Sequence, residues 1–308
     1  MPISLDKHLR DSAVDHDLRH LIVKIAVTAK YVHHAMQTGD LGLAGTSNMY
    51  GEAQLALDVL ANQLFVKELE DSHYATCLAS EEMEEEHTIP HEKRGKYAVV
   101  FDPLDGSSLV DANLAIGSIF GIYESDDIIG LKGDQQVASL IVVYGPRLTL
   151  IYTTKNGVHE CILNAVGEFI VSRENISLDK KAKNFAPGNL RAVSSEKKYA
   201  ALVNYWMNNH YTLRYSGGMV PDINHILLKE QGVFTYPGYE KLPEGKLRLL
   251  YECAPMALLV EQAGGRATDG KKRILDIAVE RLDQRTPIFI GSEDDVILAE
   301  KMMHDEAY

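Results

Sequence analysis

Apolar residues at helical spacing open the chain. From His16 to Met36, the positions Leu18, Leu21, Ile22, Ile25, Ala26, Ala29 and Val32 form one stripe; Glu52 to Leu69 repeats the habit with Leu55, Val59, Leu60, Leu64 and Phe65. Two long amphipathic helices are therefore expected. Between them, Thr38 to Gly51 holds four glycines among Thr, Ser and Asn, a composition that reads as a mobile loop. From Tyr97 the pattern shortens. Tyr97 to Phe101, Gly117 to Tyr123, Val137 to Tyr144 and Leu148 to Thr153 are strand-like runs separated by Gly, Pro, Asp or Asn. Phe185 to Arg191, with Pro187-Gly188-Asn189, breaks that rhythm. Helix and strand patterns then alternate through Leu202 to Asn208, Leu247 to Glu252 and Pro287 to Ile290. Two domains are expected, 1–185 and 186–308.

With 308 residues, 45% of them hydrophobic, the chain can bury a sizeable core. Its formal net charge of -13 argues against a nucleic-acid partner, which needs clustered Lys and Arg. Cys77, Cys161 and Cys253 are far apart and odd in number, which suggests neither a disulfide framework nor a zinc site and fits a reducing cytoplasm. The first apolar run, Leu21 to Val27, is interrupted by Lys24 and does not read as a signal peptide. No stretch approaches the roughly 20 apolar residues of a membrane helix, so no membrane partner is expected.

An anionic ligand must then be met locally, by a metal or a few bases. Asp102-Pro103-Leu104-Asp105-Gly106-Ser107-Ser108 follows the apolar run Ala98 to Phe101, so its carboxylates sit where a strand ends and the backbone turns. Alone, that motif also fits an ordinary acidic turn. Glu81-Glu82, at the end of the apolar stretch Tyr74 to Ala79, changes the balance, whereas Glu84 to Glu86 read as a solvated acidic face. Carboxylates gathered this way suit Mg²⁺, a hard ion that bridges one or two protein carboxylates to substrate phosphate. Asp58 lies among Leu55, Val59 and Ala61, where a carboxylate is either functional or an uneventful helix-edge residue. Lys246, Arg248, Leu250 and Glu252 alternate along a strand-like run, which would send all four to one face, a phosphate clamp or an exposed edge strand. Arg214 precedes Tyr215 and the Gly217-Gly218 pair, where backbone can approach a ligand closely. HExxH, P-loop and Gly-x-Ser-x-Gly patterns are absent.

Ser80-Glu81-Glu82, Phe101 to Ser108, Ile119-Phe-Gly-Ile-Tyr123 and Lys246 to Pro255 resemble the class 1 fructose-1,6-bisphosphatases, over nearly the whole chain. Lys93 to Tyr97 and Thr235-Tyr-Pro237 are similar to the same family, while Pro187 to Ala192 and Tyr211 to Asp222 look more like its sedoheptulose-1,7-bisphosphatase branch. The resemblance implies a layered α/β fold, the αβαβα sandwich of the sugar phosphatases. Residues 1–185 would form the metal-binding catalytic domain and 186–308 the sugar-phosphate-binding domain. Glu81, Glu82, Asp102, Asp105, the Leu104 carbonyl and Glu252 would hold two or three Mg²⁺ ions, with Mn²⁺ able to substitute. Asp58 with Glu82 would activate water, supported by Glu52. Asp105, Gly106, Ser107 and Ser108 would face the reacting phosphate. Asn189, Arg214, Tyr215, Tyr236, Lys246 and Arg248 would hold the sugar and its distal phosphate. A homo-oligomer, dimer or tetramer, is implied, with Arg214 reaching a neighbour's site.

Departures from the family pattern carry expectations too. Leu109, Arg191 and Ala192 lean towards a seven-carbon or dual substrate. Leu41 and Thr46 stand where the plant sedoheptulose enzymes have a regulatory cysteine pair, so thioredoxin control is not expected. Val14-Asp-His-Asp-Leu18 replaces the family's nucleotide-inhibition loop although Lys96-Tyr97 persist, which argues against AMP inhibition. The rival readings are an inositol-monophosphatase-like enzyme, disfavoured by the cations Arg214, Lys246 and Arg248, and a catalytically silent sugar-phosphate-binding protein.

Overall fold

The computed structural model describes residues 2–38, 43–47 and 53–304. A short helix α1 (Leu5–Asp11) leads into α2 (His16–Thr38). Asp15 caps α2, its carboxylate accepting from the amides of Asp17 and Leu18. The expected stripe from Leu18 to Val32 is buried. Helix α3 (Ala56–Glu70) starts four residues later than expected, because 53–55 is extended. Its buried stripe is Leu57, Ala61, Phe65 and Leu69, at a spacing of four, and Leu60 is exposed. The expected loop over Thr38 to Gly51 contains a strand, β1 (Leu43–Ser47), paired with β2 (Ala53–Leu55). Its remaining positions, among them Leu41, and Glu52 lie outside the described residues.

Eight strands form the larger sheet: β3 (Ala75–Ser80), β4 (His87–Thr88), β5 (Tyr97–Asp105), β6 (Ile116–Tyr123), β7 (Gln136–Tyr144), β8 (Leu148–Thr153), β9 (His159–Leu163) and β10 (Phe169–Arg173). Their order is 10-9-8-7-6-5-3-4, antiparallel except for the parallel pair β3–β5. Both faces are covered, so the strands read as near-continuous apolar runs. Tyr97, Val99 and Phe101 enter one core, and Ala98 and Val100 enter another.

A second sheet, ordered 12-11-13-15-14, comprises β11 (Asn184–Pro187), β12 (Thr212–Leu213), β13 (Val233–Tyr236), β14 (Arg266–Thr268) and β15 (Ile288–Gly291). Pro187 thus ends a strand, where its missing N–H costs least. Helices α5 (Met219–Leu228) and α6 (Ala254–Gln262) pack between the two sheets, α1 to α3 cover the outside of the first, and α4 (Lys197–Asn208) with α7 (Glu293–His304) covers the second. The layers run α, β, α, β, α, as the family resemblance implied.

One expected strand is a correction. Leu249 to Cys253 is a single π turn that runs into α6, with Arg248 extended just before it. Leu249, Leu250 and Tyr251 are all buried, as in a helical segment enclosed on every side, and Pro255 sits in α6's first turn, where a missing N–H is harmless. Such π turns concentrate at functional sites.

Candidate active site

Strand β5 continues through the acidic motif. Asp102 pairs with Ile119 and Asp105 with Gly117, so Pro103 and Leu104 oppose the single residue Ser118 in a bulge. The bulge frees the Leu104 amide to donate to Asp102 Oδ1 at 2.8 Å. Gly106, at φ +83°, then turns the chain into a short 3-10 turn, Ser107 to Leu109, a conformation that favours glycine. Glu81 and Glu82 follow the end of the parallel neighbour β3, and the Glu81 amide donates to Phe101 O at 3.1 Å.

The other contributors come from the second half of the chain. Helix α5 points its N-terminus at the motif, and the Val220 amide donates to Asp105 Oδ2 at 2.7 Å. This approach requires Gly117 beneath it: a Cβ there would lie 2.3 Å from both Val220 Cγ1 and Val142 O. The π turn brings in Glu252, whose Oε2 accepts from the Arg248 amide at 2.6 Å. The Arg248 side chain is only 1% exposed and its Nε lies 3.7 Å from Glu81 Oε1. Lys246 is exposed at the rim, so the two cations do not share one strand face as expected, yet both reach the same cavity.

Ligand oxygens of Asp102, Asp105 and Glu252 all lie within 4.8 Å of one another, and all three residues are buried. Burial, then the carboxylates of Glu81, Asp105 and Glu252, push the Asp102 carboxyl well above its ordinary range. Burial and the same kind of repulsion raise Glu252, against the pull of Arg248. Asp105 is raised by burial to about 6, opposed by the Val220 amide and Lys246. Such mutual repulsion is what a divalent cation relieves, and an all-oxygen, carboxylate-rich donor set fits a hard ion. The neighbouring Cys253 thiol, driven far up by burial, is no thiolate ligand.

Two cavities meet here. The first, about 440 Å³, is lined by Glu81, Glu82, Asp102, Leu104, Asp105, Gly106, Ser107, Ser108, Arg248 and Glu252. The second, about 580 Å³, is lined by Asn189, Arg191, Tyr239 and Arg285 and by no carboxylate. Tyr215, Tyr236 and Lys246 belong to both.

Most of the sequence-derived site residues are thereby brought together. Asp58 is buried in the first turn of α3 but does not line either cavity. Arg214 is exposed, donates to Leu213 O and lines neither. The amide group of Asn189 donates to Pro237 O at 2.9 Å. Sequence reasoning missed the α5 N-terminus, for which Gly217-Gly218 before an apolar run was the available signal. It also missed Asp222, buried in α5's first turn, which accepts from the Ser216 amide at 2.9 Å and so ties the helix to the substrate-side loop. Arg285 has no local signal; it arrives by pairing with Arg248 from a distant segment.

Comparison with known proteins agrees with this arrangement. The family model for the N-terminal domain of fructose-1-6-bisphosphatase matches residues 3–174, and that for the C-terminal domain matches 178–304. The chain is 47% identical to the class 1 fructose-1,6-bisphosphatase of Syntrophotalea carbinolica, over 99% of this chain and 94% of that one. It is 39% identical to the chloroplastic sedoheptulose-1,7-bisphosphatase of Spinacia oleracea, over 98% and 78%. Of the two, the sedoheptulose enzyme is the more distant relative. The crystal structure of Leishmania major fructose-1,6-bisphosphatase in holo form superposes with a TM-score of 0.95 at 35% identity, over 99% of this chain and 100% of that one. A carboxylate nest beside a cationic cavity, on this five-layer frame and matched from end to end by both domain models, means that the chain belongs to the fructose-1,6-bisphosphatase family of phosphoric monoester hydrolases.

Proposed function

We propose that this protein is a sugar-bisphosphate 1-phosphatase that hydrolyses fructose-1,6-bisphosphate, sedoheptulose-1,7-bisphosphate or both to the monophosphate and inorganic phosphate. The observation that carries this reading is the segregation of charge between two cavities with a common wall: one rich in carboxylates, the other holding Arg191, Lys246 and Arg285 in a chain of net charge -13. A ligand with a phosphate at each end suits that pair, and an inositol monophosphate leaves the second cavity unused. The pathway is gluconeogenesis or the Calvin cycle, and the compartment the cytoplasm; no described helix is long and apolar enough to cross a membrane.

Glu81, Glu82, Asp102, Asp105, Glu252 and the Leu104 carbonyl would hold two or three Mg²⁺ or Mn²⁺ ions. When bound, these ions supply charge neutralisation at the phosphoryl oxygens. Helix α5 and Lys246 hold Asp105 in its anionic form. Gly106, Ser107 and Ser108 cradle the reacting phosphate at the cavity wall. Asp58 with Glu82 would take the proton of the attacking water as its oxygen bonds to phosphorus, with Glu52 in support; the bond from phosphorus to the sugar oxygen breaks, and that oxygen takes a proton from solvent as the alcohol leaves. Asn189, Tyr215, Tyr236, Lys246 and Arg248 position the sugar and its far phosphate.

The division into two domains near residue 185 is supported by the gap between the two sheets, Arg173 to Asn184. A dimer or tetramer is supported by Arg214, which is exposed and lines neither of its own cavities, between the half-exposed Leu213 and Tyr215. The absence of AMP inhibition is supported by Asp15: it accepts from Tyr97 OH at 2.8 Å and lies 3.2 Å from Lys96 Nζ, engaging the pair a nucleotide phosphate would need.

Phosphate release with Mg²⁺ tests the reading, comparing kcat/KM for the two sugar bisphosphates with inositol monophosphate as control. Asp105→Asn should fold and lose the activity; a fully active variant would overturn the metal assignment, and binding of sugar bisphosphate without turnover would favour the silent protein.

A further inference from the structure

The bulge that shapes the metal loop is pinned from behind. Ser118, the lone residue opposite Pro103 and Leu104, is fully buried, and its hydroxyl donates to Pro103 O at 2.7 Å. The register shifts there, between Asp102 and Asp105, and Pro103 has no N–H to give to the ladder. The Ser118 Oγ lies 2.9 Å from Tyr144 OH on the next strand. The direction of this chain follows from chemistry. Pro103 O can only accept, so Ser118 commits its one proton there, and Tyr144 is the donor to Ser118. Burial keeps the Tyr144 phenol neutral and able to donate.

The geometry points to Ser118 and Tyr144 as positioning residues for the metal site. The carbonyl they hold belongs to the peptide between the two aspartates. With that peptide fixed at Pro103 O and its amide given to Asp102 Oδ1, the Asp102 carboxylate cannot turn away without breaking a buried hydrogen bond. Neither Ser118 nor Tyr144 lines the cavity of Asp102 and Asp105, so they act through the loop and not by touching substrate. Partners behind a metal ligand typically change metal affinity by about 10- to 100-fold when removed. The inference rests on the proposed metal binding by the Asp102–Asp105 loop.

The test is a Mn²⁺ binding isotherm on the full-length protein without substrate, with thermal unfolding in EDTA alongside. Ser118→Ala should weaken Mn²⁺ binding about 10- to 100-fold, Tyr144→Phe by less, and the double variant no further than Ser118→Ala. KM for the sugar at saturating metal should stay within about twofold. The control is Thr153→Val, which deletes another buried hydroxyl donating to a backbone carbonyl, that of Gly157, at the far end of β8. It should lower the unfolding temperature comparably and leave Mn²⁺ binding unchanged. If Ser118→Ala or Tyr144→Phe binds Mn²⁺ like Thr153→Val, the relay is merely structural and the proposal falls. Should Ser118→Ala fail to fold, Tyr144→Phe decides alone. Wild-type protein that binds no Mn²⁺ would overturn the metal reading and the relay with it.

Discussion

Glu252→Gln should stabilise the metal-free protein while destroying the activity, and the opposite signs make it a demanding test. Two unit charges 4.8 Å apart, the outer limit among Asp102, Asp105 and Glu252, repel by ~3.5 kcal/mol at an effective dielectric of about 20. The folded protein relieves this by taking up protons, which is why Asp102 and Glu252 are held far above their ordinary range. A carboxyl whose folded pKa is raised stabilises the fold below its unfolded pKa, and that contribution is lost as pH rises through the folded value. Above the ordinary carboxyl range the metal-free fold therefore bears this cost, as protons taken up or as repulsion. Glutamine keeps the acceptor for the Arg248 amide and removes one charge. Loss of attraction to Arg248 offsets part of the gain, leaving ~1–2 kcal/mol. For a chain of this length that is a rise of ~2–4 °C in Tm. The assay is thermal unfolding in EDTA and in Mg²⁺, paired with phosphate release, where a fall of more than ~100-fold is expected because a ligand is lost outright. A lower Tm in EDTA would show that Glu252 is held chiefly as an ion-pair partner and would refute the repulsion argument.

Lys246→Ala should raise KM for a sugar bisphosphate ~10- to 100-fold, as loss of a charged hydrogen bond does, and impair hydrolysis of a sugar 1-phosphate lacking the distal group much less, through Asp105 alone. Because metal ligands must shed protons that burial holds on Asp102 and Glu252, Mn²⁺ affinity measured by calorimetry should rise from pH 6 to pH 8. Gly117→Ala should cost ~1–3 kcal/mol in urea unfolding and weaken activity as well, since the added Cβ pushes α5 off Asp105.

Where a single periodicity governs burial, the sequence was readable. The stripe from Leu18 to Val32 and the strand Leu148–Thr153 lie where their patterns put them. The continuation of β5 through Asp102–Asp105 was hidden because Pro103 reads as a break, whereas the Asp102 carboxylate and the Ser118 hydroxyl satisfy the bulge's Leu104 amide and Pro103 carbonyl. Between 246 and 252, period-two alternation imitated a strand. A helical turn also puts Arg248 and Glu252 near each other, four residues apart, and the segment runs directly into α6 with Pro255 in its first turn. The carboxylates of the proposed metal site were legible as motifs, whereas Arg285 arrives by tertiary packing that leaves no local trace and the α5 amides were signalled only by Gly217-Gly218. Arg214 was readable locally as a cation, while its place outside its own cavities was expected only through the family resemblance.

The middle helical layer also sets a timetable for synthesis. The inner face of the larger sheet, with Ala98, Val100, Ile119 and Ile141, is complete once β10 ends at Arg173, but the helices that cover it are not finished until Gln262. At usual translation speeds, those intervening ~90 residues leave an apolar sheet face bare for roughly 4–18 s on the ribosome. A nascent chain stalled in that interval before Met219 has two aspartates of the proposed metal nest but neither Glu252 nor the α5 amides, so the apolar face stands open before the site can form.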